Sequence, residues 1–149
     1  MVKGYTQQYG VDYQETFDYV ARYDTIKLIF GFTSHCSWQI HQLDVKSAFL
    51  NCLLAEEIYV EQPDDFSMPG KEDHVFLLTK ALYGLKQAPR AWYERMDNHL
   101  IQLGFSRSQS EATLYVKFNA TGESLIVSIY VDDMLVSGSK IELIQRFKD

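Results

Sequence analysis

The sequence is short of cysteine and of long hydrophobic runs, and both shortages narrow the class of protein. Its two cysteines, Cys36 and Cys52, stand far apart without a Cys-x-x-Cys motif or a paired His. We therefore expect two thiols in a reducing compartment. No apolar stretch approaches the roughly 20 residues that cross a bilayer. The N-terminus also lacks the apolar stretch of a signal peptide. We expect an intracellular protein that is neither secreted nor bound to a membrane.

Positive charge is scarce as well. Fourteen Lys and Arg residues face 20 Asp and Glu residues, which gives a net charge of −6. This is the wrong sign for a protein that binds nucleic acid on its own. The charge is uneven, however, because the range 53–73 is strongly acidic and the range 80–107 is locally basic. The basic range is compatible with phosphate binding.

The remaining composition is that of one globular domain. The chain of 149 residues has 46% hydrophobic and 23% charged residues, with ten Tyr and nine Phe. Disorder is not expected at these values, and the aromatic content suits a mixed α/β core. We find no internal repeat, low-complexity tract or linker. The predicted organisation is a single domain over residues 1–149.

Hydrophobic periodicity and turn residues predict the elements. A loose arm over 1–23 precedes a core helix over 24–36, with Asp24 as N-cap and a stripe of Ile26, Ile29, Phe30 and Thr33. A second helix starts near Pro89, carries Trp92, Met96, Leu100 and Leu103, and stops at Gly104. A capping box at Ser139–Glu142 opens a third helix. Strands are predicted over 38–45, 57–61, 75–78 and 113–118, with a surface loop over 62–73.

The most informative stretch is Leu125–Gly138, in which two apolar runs flank adjacent aspartates. It predicts a β-hairpin with Asp132 and Asp133 at the bend. A tight hairpin turn favours Asn-Gly or Asp-Gly, but Met134 follows these acids. Two neighbouring charges in an apolar hairpin repel each other, and a divalent cation is the simplest compensation. A solvated Asp-Asp turn is the alternative.

Four blocks resemble the copia-type branch of the long-terminal-repeat retrotransposon reverse transcriptases, and they occur in the order of that family. They are DYQETF at Asp12–Phe17 with VAR at Val20–Arg22, IHQLDVKSAFLN at Ile40–Asn51, ALYGLKQAPRAWY at Ala81–Tyr93, and YVDD at Tyr130–Asp133. The resemblance implies an α+β fold. It would be the reverse-transcriptase palm, a split βαβ unit with an antiparallel sheet backed by helices. Partial fingers would accompany it, and the chain would be truncated before the thumb.

The resemblance also implies a chemistry, two-metal nucleotidyl transfer by an RNA-directed DNA polymerase. Asp44 and Asp132 would bind two Mg²⁺ ions, with Mn²⁺ as an alternative ion. Asp133 would be the third carboxylate, and the carbonyl of Val45 would add a ligand. Tyr130 and Val131 complete the motif.

A second implied set of residues would contact the nucleotide. Phe49 matches the aromatic gate that selects deoxynucleotides, although a place in the core is the commoner fate of a Phe. The segment around Tyr83 and Gly84 matches the part of the family beneath the templating base. Lys86 and Gln87 would reach template or phosphate, or would form only the lead-in to a helix.

The chain departs from the family pattern at a few positions, and the carboxylates of the pattern are intact. Asp18-Tyr19 replaces a common Ala-Pro, and Cys52 replaces a common Gly.

The implied partners are an RNA or DNA template–primer, dNTPs, and the integrase and ribonuclease H segments of a Pol polyprotein. The implied location is cytoplasmic, in virus-like particles, or nuclear. We expect little activity from the isolated chain. The alternatives are a non-catalytic remnant or nucleic-acid-binding module, and another two-metal palm enzyme such as a nucleotide cyclase.

Overall fold

The computed structural model describes residues 2–16 and 19–148. Phe17 of the first family block and Asp18 of the departure from Ala-Pro lie outside the described residues. The chain divides into two compact units. The first unit consists of Met1–Phe17 and Ser47–Trp92, and the second consists of Asp18–Lys46 and Tyr93–Asp149.

The second unit is built on an antiparallel sheet. In the described part of the chain, its strands are β1 (Ile40–Asp44), β4 (Ser106–Arg107), β5 (Leu114–Phe118), β6 (Ser124–Tyr130) and β7 (Asp133–Gly138), in the spatial order β1-β7-β6-β5-β4. Each neighbouring pair is antiparallel. The apolar runs of the predicted hairpin become the central strands β6 and β7, where Val127, Ile129 and Val136 are almost fully buried. The predicted hairpin is confirmed.

The first unit contains a two-stranded antiparallel sheet of β2 (Leu53–Glu61) and β3 (Val75–Lys80). The intervening loop holds a short 3-10 helix at Asp64–Phe66, and further 3-10 turns lie at Gly4–Thr6 and Phe49–Asn51. The predicted strand at 57–61 is longer than expected. It begins at Leu53, with a register shift between Leu53 and Ile58. The added part, Leu53–Glu56, holds three apolar residues and one acid without a period-2 alternation, so the sequence pattern missed it.

Three α-helices occur in the described ranges, namely α1 (Tyr23–His35), α2 (Ala88–Gln102) and α3 (Ile141–Lys148). None of them is long and apolar enough to cross a membrane. α2 ends as predicted, because Gly104 has φ 84° and the N–H of Phe105 donates to the carbonyl of Leu100. This is the hydrogen bond of a Schellman cap.

The predicted strand over 38–45 is shorter because α1 ends in the same kind of cap. Ser37 takes φ 56°, and the N–H of Trp38 donates to the carbonyl of Thr33. Residues 37 and 38 therefore terminate the helix, and β1 begins only at Ile40.

The predicted core stripes are partly wrong. Ile29 and Thr33 of α1 are buried, but Phe30 is 51% exposed. Met96 and Leu100 of α2 are buried, but Leu103, which follows the last residue of α2, is 40% exposed. Periodicity overestimated the width of both buried faces.

Two predicted helix caps are also wrong. The N-cap of α1 is Arg22, which makes no side-chain cap, and Asp24 lies in the first turn. The hydroxyl of Ser139 bonds the backbone of Ser124 at the start of β6 instead of opening a capping box. For Ser139, contacts with the start of β6 replaced the expected local bond.

Candidate active site

The two aspartates predicted at the bend of the hairpin lie at the junction of β6 and β7. Tyr130 and Asp133 form the last pair of the ladder, so Val131 and Asp132 are the two loop residues. We call Tyr130–Asp133 the acidic turn. Val131 has φ 53°, a conformation that a β-branched residue rarely adopts. Such backbone strain costs about 1–3 kcal/mol and is concentrated at functional sites.

The structure brings Asp44 beside the acidic turn. Asp44 on β1 is the direct cross-strand partner of Asp133 on β7. One residue further on, the N–H of Val45 donates to the carbonyl of Asp132 at 3.1 Å. Because hydrogen-bonded and non-hydrogen-bonded pairs alternate in an antiparallel ladder, Asp44 and Asp133 form a non-hydrogen-bonded pair, the type in which side chains are closest.

This arrangement concentrates negative charge at one end of the sheet. Asp44 is exposed, whereas Asp132 and Asp133 are half-buried. Like charges at directly opposed positions of a ladder are destabilising. Among the ion pairs of the described residues, none involves Asp44 or Asp133. Within the same ranges, no three His, Cys, Asp or Glu side chains converge as a ready-made metal site.

A buried carboxylate that the sequence analysis missed lies in the same unit. Glu111 is 9% exposed, and its Oε1 accepts hydrogen bonds from the hydroxyl of Thr113 at 2.9 Å and the N–H of Thr113 at 3.3 Å. Its Oε2 accepts a hydrogen bond from the hydroxyl of Thr25 at 3.2 Å and lies 3.8 Å from Nε of Arg22. The Glu-x-Thr spacing hints at the first of these contacts. No local signal predicts those with Arg22 and Thr25.

The contacts of Glu111 change its acidity. Burial acts to raise the pKa of the Glu111 carboxyl, but hydrogen bonds from Thr113, Thr25 and the backbone N–H of Arg22 outweigh it. The pKa of Glu111 therefore lies below its ordinary value, so the carboxylate is charged at neutral pH. An anion at the start of α1 also interacts favourably with the helix dipole.

In the first unit, the predicted gate residue lies in a core. Phe49 is 5% exposed, and its ring centroid lies 4.4 Å from that of Tyr83 with the planes tilted by 55°. The contact between Phe49 and Tyr83 fixes the position of the Phe49 ring and joins two of the predicted nucleotide-binding residues.

The turn after Tyr83 is packed closely against the N-terminal arm. Gly84 has φ 101°, and the N–H of Val2 donates to the carbonyl of Tyr83 at 2.9 Å. A Cβ atom on Gly4 would overlap the carbonyl oxygen of Gly84. Both glycines are therefore required, one for its conformation and the other for the approach of two backbones.

Of the next two predicted residues, one is exposed and the other is buried. Lys86 is exposed. Gln87 is 2% exposed, and its Nε2 donates to the carbonyl of Asp12 at 2.7 Å while its Oε1 accepts from Nε2 of Gln7 at 3.1 Å. Oε1 of Gln7 accepts from the N–H of Lys86 at 2.9 Å. The described contacts of the Gln87 amide thus hold the turn to the arm. Nucleotide binding by Gln87 stays a prediction.

Comparison with known proteins supports the family resemblance of the sequence blocks in which these residues lie. The family model described as reverse transcriptase (RNA-dependent DNA polymerase) matches residues 1–149. The chain belongs to this family. No solved structure gives a significant match.

Within the family, the chain is similar to Pol polyproteins of transposons. It is 42% identical to the retrovirus-related Pol polyprotein from transposon RE2 of Arabidopsis thaliana over 100% of this chain and 10% of that protein. It is 40% identical to the polyprotein from transposon TNT 1-94 of Nicotiana tabacum over 99% of this chain and 11% of that protein. The chain thus spans about a tenth of the length of these relatives. The predicted resemblance to the copia-type branch is confirmed.

Proposed function

We propose that this chain carries the nucleotidyl-transfer centre of an RNA-directed DNA polymerase, with Asp44, Asp132 and Asp133 as its metal-binding carboxylates. The observation that carries the proposal is the cross-strand pairing of Asp44 with Asp133, beside the acidic turn. Residues far apart in the sequence meet there, and each belongs to a block that resembles the family. The isolated chain is expected to extend primers poorly, because a net charge of −6 disfavours contact with the phosphate backbone.

The residues present fit a magnesium site. Mg²⁺ prefers oxygen ligands and is typically held by one or two carboxylates, together with waters and substrate phosphates. The opposed carboxylates of Asp44 and Asp133 match that donor chemistry, and a cation between them would relieve their repulsion. We propose that Asp132 and the carbonyl of Val45 complete the set. A pair of bound Mg²⁺ ions would activate the attacking hydroxyl and neutralise the leaving pyrophosphate.

The first unit supplies the proposed nucleotide contacts. Phe49, held in place by Tyr83, would lie under the sugar and exclude a 2′-hydroxyl. The exposed Lys86 would contact phosphate, and Gln87 would act by fixing the turn that presents Gly84 and Lys86. A Lys binds phosphate as a point charge.

The proposal extends to the fold and the partners. The sheet that carries Asp44 and the acidic turn would belong to the palm. The remainder of the chain would include part of the fingers. The partners would be template–primer, dNTPs, and the integrase and ribonuclease H segments of a longer Pol chain. Location in the cytoplasm, in virus-like particles, or in the nucleus follows from the same proposal.

Two measurements on the isolated chain test the function. The first is Mn²⁺ binding, followed by paramagnetic broadening of the NMR signals of residues 44 and 132–133. Binding to the wild type that is lost in Asp44→Asn and Asp133→Asn supports the metal centre. Absence of binding to the folded wild type overturns it. Asp73→Asn, at an exposed loop acid, is the matched control.

The second measurement is primer extension on an RNA template with Mg²⁺ and dNTPs. Incorporation that Asp132→Asn abolishes would establish the activity and contradict the expected weakness of the isolated chain. Salt-dependent RNA binding with neither incorporation nor metal binding would favour a non-catalytic nucleic-acid-binding module instead.

A further inference from the structure

Glu111 contacts two segments that lie beside the end of β6. One contains Thr113, and the other is the start of α1. On one side, Thr113 donates both its N–H and its hydroxyl to Glu111. The carbonyl of the same Thr113 accepts the N–H of Ile129 at 2.9 Å, immediately before the acidic turn. Thr113 is fully buried. A shift of the Thr113 backbone would therefore disturb both its hydrogen bond to Glu111 and its hydrogen bond from Ile129.

On the other side, Glu111 holds the start of α1. Its carboxylate accepts the hydroxyl of Thr25 and the backbone N–H of Arg22. Two residues before Arg22, Val20 forms an isolated antiparallel bridge with Tyr130, the first residue of the acidic turn. The N-cap residue Arg22 makes no side-chain hydrogen bond to the helix backbone. The hydrogen bonds to Glu111 therefore hold the start of α1, which follows Val20 closely in the sequence.

We propose that Glu111 is a positioning residue for the acidic turn, acting as a clamp that holds Val20 against Tyr130 and Thr113 against Ile129. It touches neither metal nor substrate in this role. The inference rests on the proposed function, because the acids that it positions are the proposed metal ligands. All residues of the clamp and of the acidic turn belong to the second unit.

The clamp has a selective physical consequence. Replacing the carboxylate by an amide introduces donors where Thr113, Thr25 and Arg22 already donate, so at least one hydrogen bond is lost. The change leaves the ladder between β6 and β7 in place. Distortion should therefore concentrate at Val20, Ile129 and the turn, whereas Val127 in the middle of β6 keeps its pairing with Val136.

The experiment compares the wild-type chain with Glu111→Gln. Its structural readouts are the nuclear Overhauser contact between Val20 and Tyr130 and the hydrogen-exchange rate of the Ile129 amide. In Glu111→Gln we expect that contact to weaken and Ile129 to exchange about fivefold faster, the equivalent of one lost hydrogen bond. The Val127 amide should keep its rate. Mn²⁺ affinity at the acidic turn should fall by a similar factor, and Glu111→Asp, which keeps the charge, should restore part of it.

A matched control is Glu123→Gln, at the opposite end of the β5–β6 hairpin, where Glu123 bonds Lys140 and Asn119. It should change none of these readouts at Val20, Ile129 or the metal. Equal effects of Glu123→Gln and Glu111→Gln would overturn the proposal, because lost charge alone would then explain both. A folded Glu111→Gln with wild-type readouts would also overturn it.

A narrower variant covers the outcome in which Glu111→Gln does not fold. Thr25→Val removes one of the two hydrogen bonds that Glu111 accepts from the start of α1, and it leaves those from Thr113 in place. It should weaken the Val20–Tyr130 contact and leave Ile129 exchange unchanged; no change at Val20 would overturn the clamp. If the wild type binds no Mn²⁺, the proposed metal centre fails, while the Val20 and Ile129 readouts still judge the clamp.

Discussion

Asp44 and Asp133 oppose each other across β1 and β7, in a non-hydrogen-bonded pair next to the bond from Val45 to Asp132. A ladder position of this kind brings two carboxylates close together. The arrangement is unfavourable in the absence of a cation, and this is why it points to a function rather than to stability.

The first prediction concerns that repulsion. Without divalent ions, Asp133→Asn should raise the free energy of unfolding by about 0.2–1 kcal/mol, because it removes one of two opposed like charges. Urea denaturation in the presence of a chelator measures the change. With saturating Mn²⁺ the wild type should have the higher free energy of unfolding, since only the wild type gains stability from binding. Lower stability of the metal-free variant would contradict the prediction, and Asp73→Asn serves as the exposed control.

The second prediction concerns Val131. Val131→Gly should stabilise the chain by about 1 kcal/mol, because relief of backbone strain of about 1–3 kcal/mol exceeds the entropy cost of a glycine. The expectation follows from φ 53° at this β-branched residue. Thermal and urea unfolding measure the change in the free energy of unfolding. A destabilised variant would contradict the prediction, because the contacts of the Val131 side chain would then stabilise the chain by more than its backbone strain destabilises it.

The third prediction tests the contact between the arm and the turn after Tyr83. Gly4→Ala should destabilise the chain by several kcal/mol, about as much as an overpacked core, because its Cβ would overlap the backbone carbonyl of Gly84. Gly31→Ala is the matched control. Gly31 lies within α1 with open space around its Cβ position, so the alanine should stabilise by about 0.5–1 kcal/mol. Equal effects in urea unfolding would contradict the close approach of the two backbones.

The fourth prediction concerns pH. The pKa of Glu111 is lowered in the folded state below its ordinary value. Its stabilising contribution is therefore complete above the unfolded pKa and is lost as the pH falls through the folded pKa. Glu111→Gln should flatten the decline of unfolding free energy below about pH 4.3, the usual pKa of a free Glu. The same acid sensitivity in variant and wild type would contradict this assignment.

Local patterns predicted the elements whose stability is local. The apolar runs on either side of Asp132 gave the β6–β7 hairpin, and Gly104 gave the end of α2. The start of α1 could not be predicted in this way. Asp24 has the chemistry of a cap, but Arg22 is the N-cap, and Glu111, remote in sequence, accepts the hydroxyl of Thr25 in the first turn. The same limit applies to Ser139, whose hydroxyl pairs with Ser124.

The sequence pointed to candidate site residues but not to their surroundings. The family blocks pointed to Asp44 and the acidic turn, and the sheet order then placed them together. No sequence signal showed that Gln87 would be buried against Gln7 and Asp12. Such contacts depend on how the arm folds back, which residue types alone do not determine.

The pairing of β1 with β7 also has a kinetic consequence. It joins a strand from the first third of the chain to one near its end, so about 90 residues must be enclosed in a loop before the two acids meet. Such long-range closure slows folding. On the ribosome, the pair of Asp44 and Asp133 therefore forms only after β7 has emerged, and a nascent chain that stops before Asp133 cannot form it.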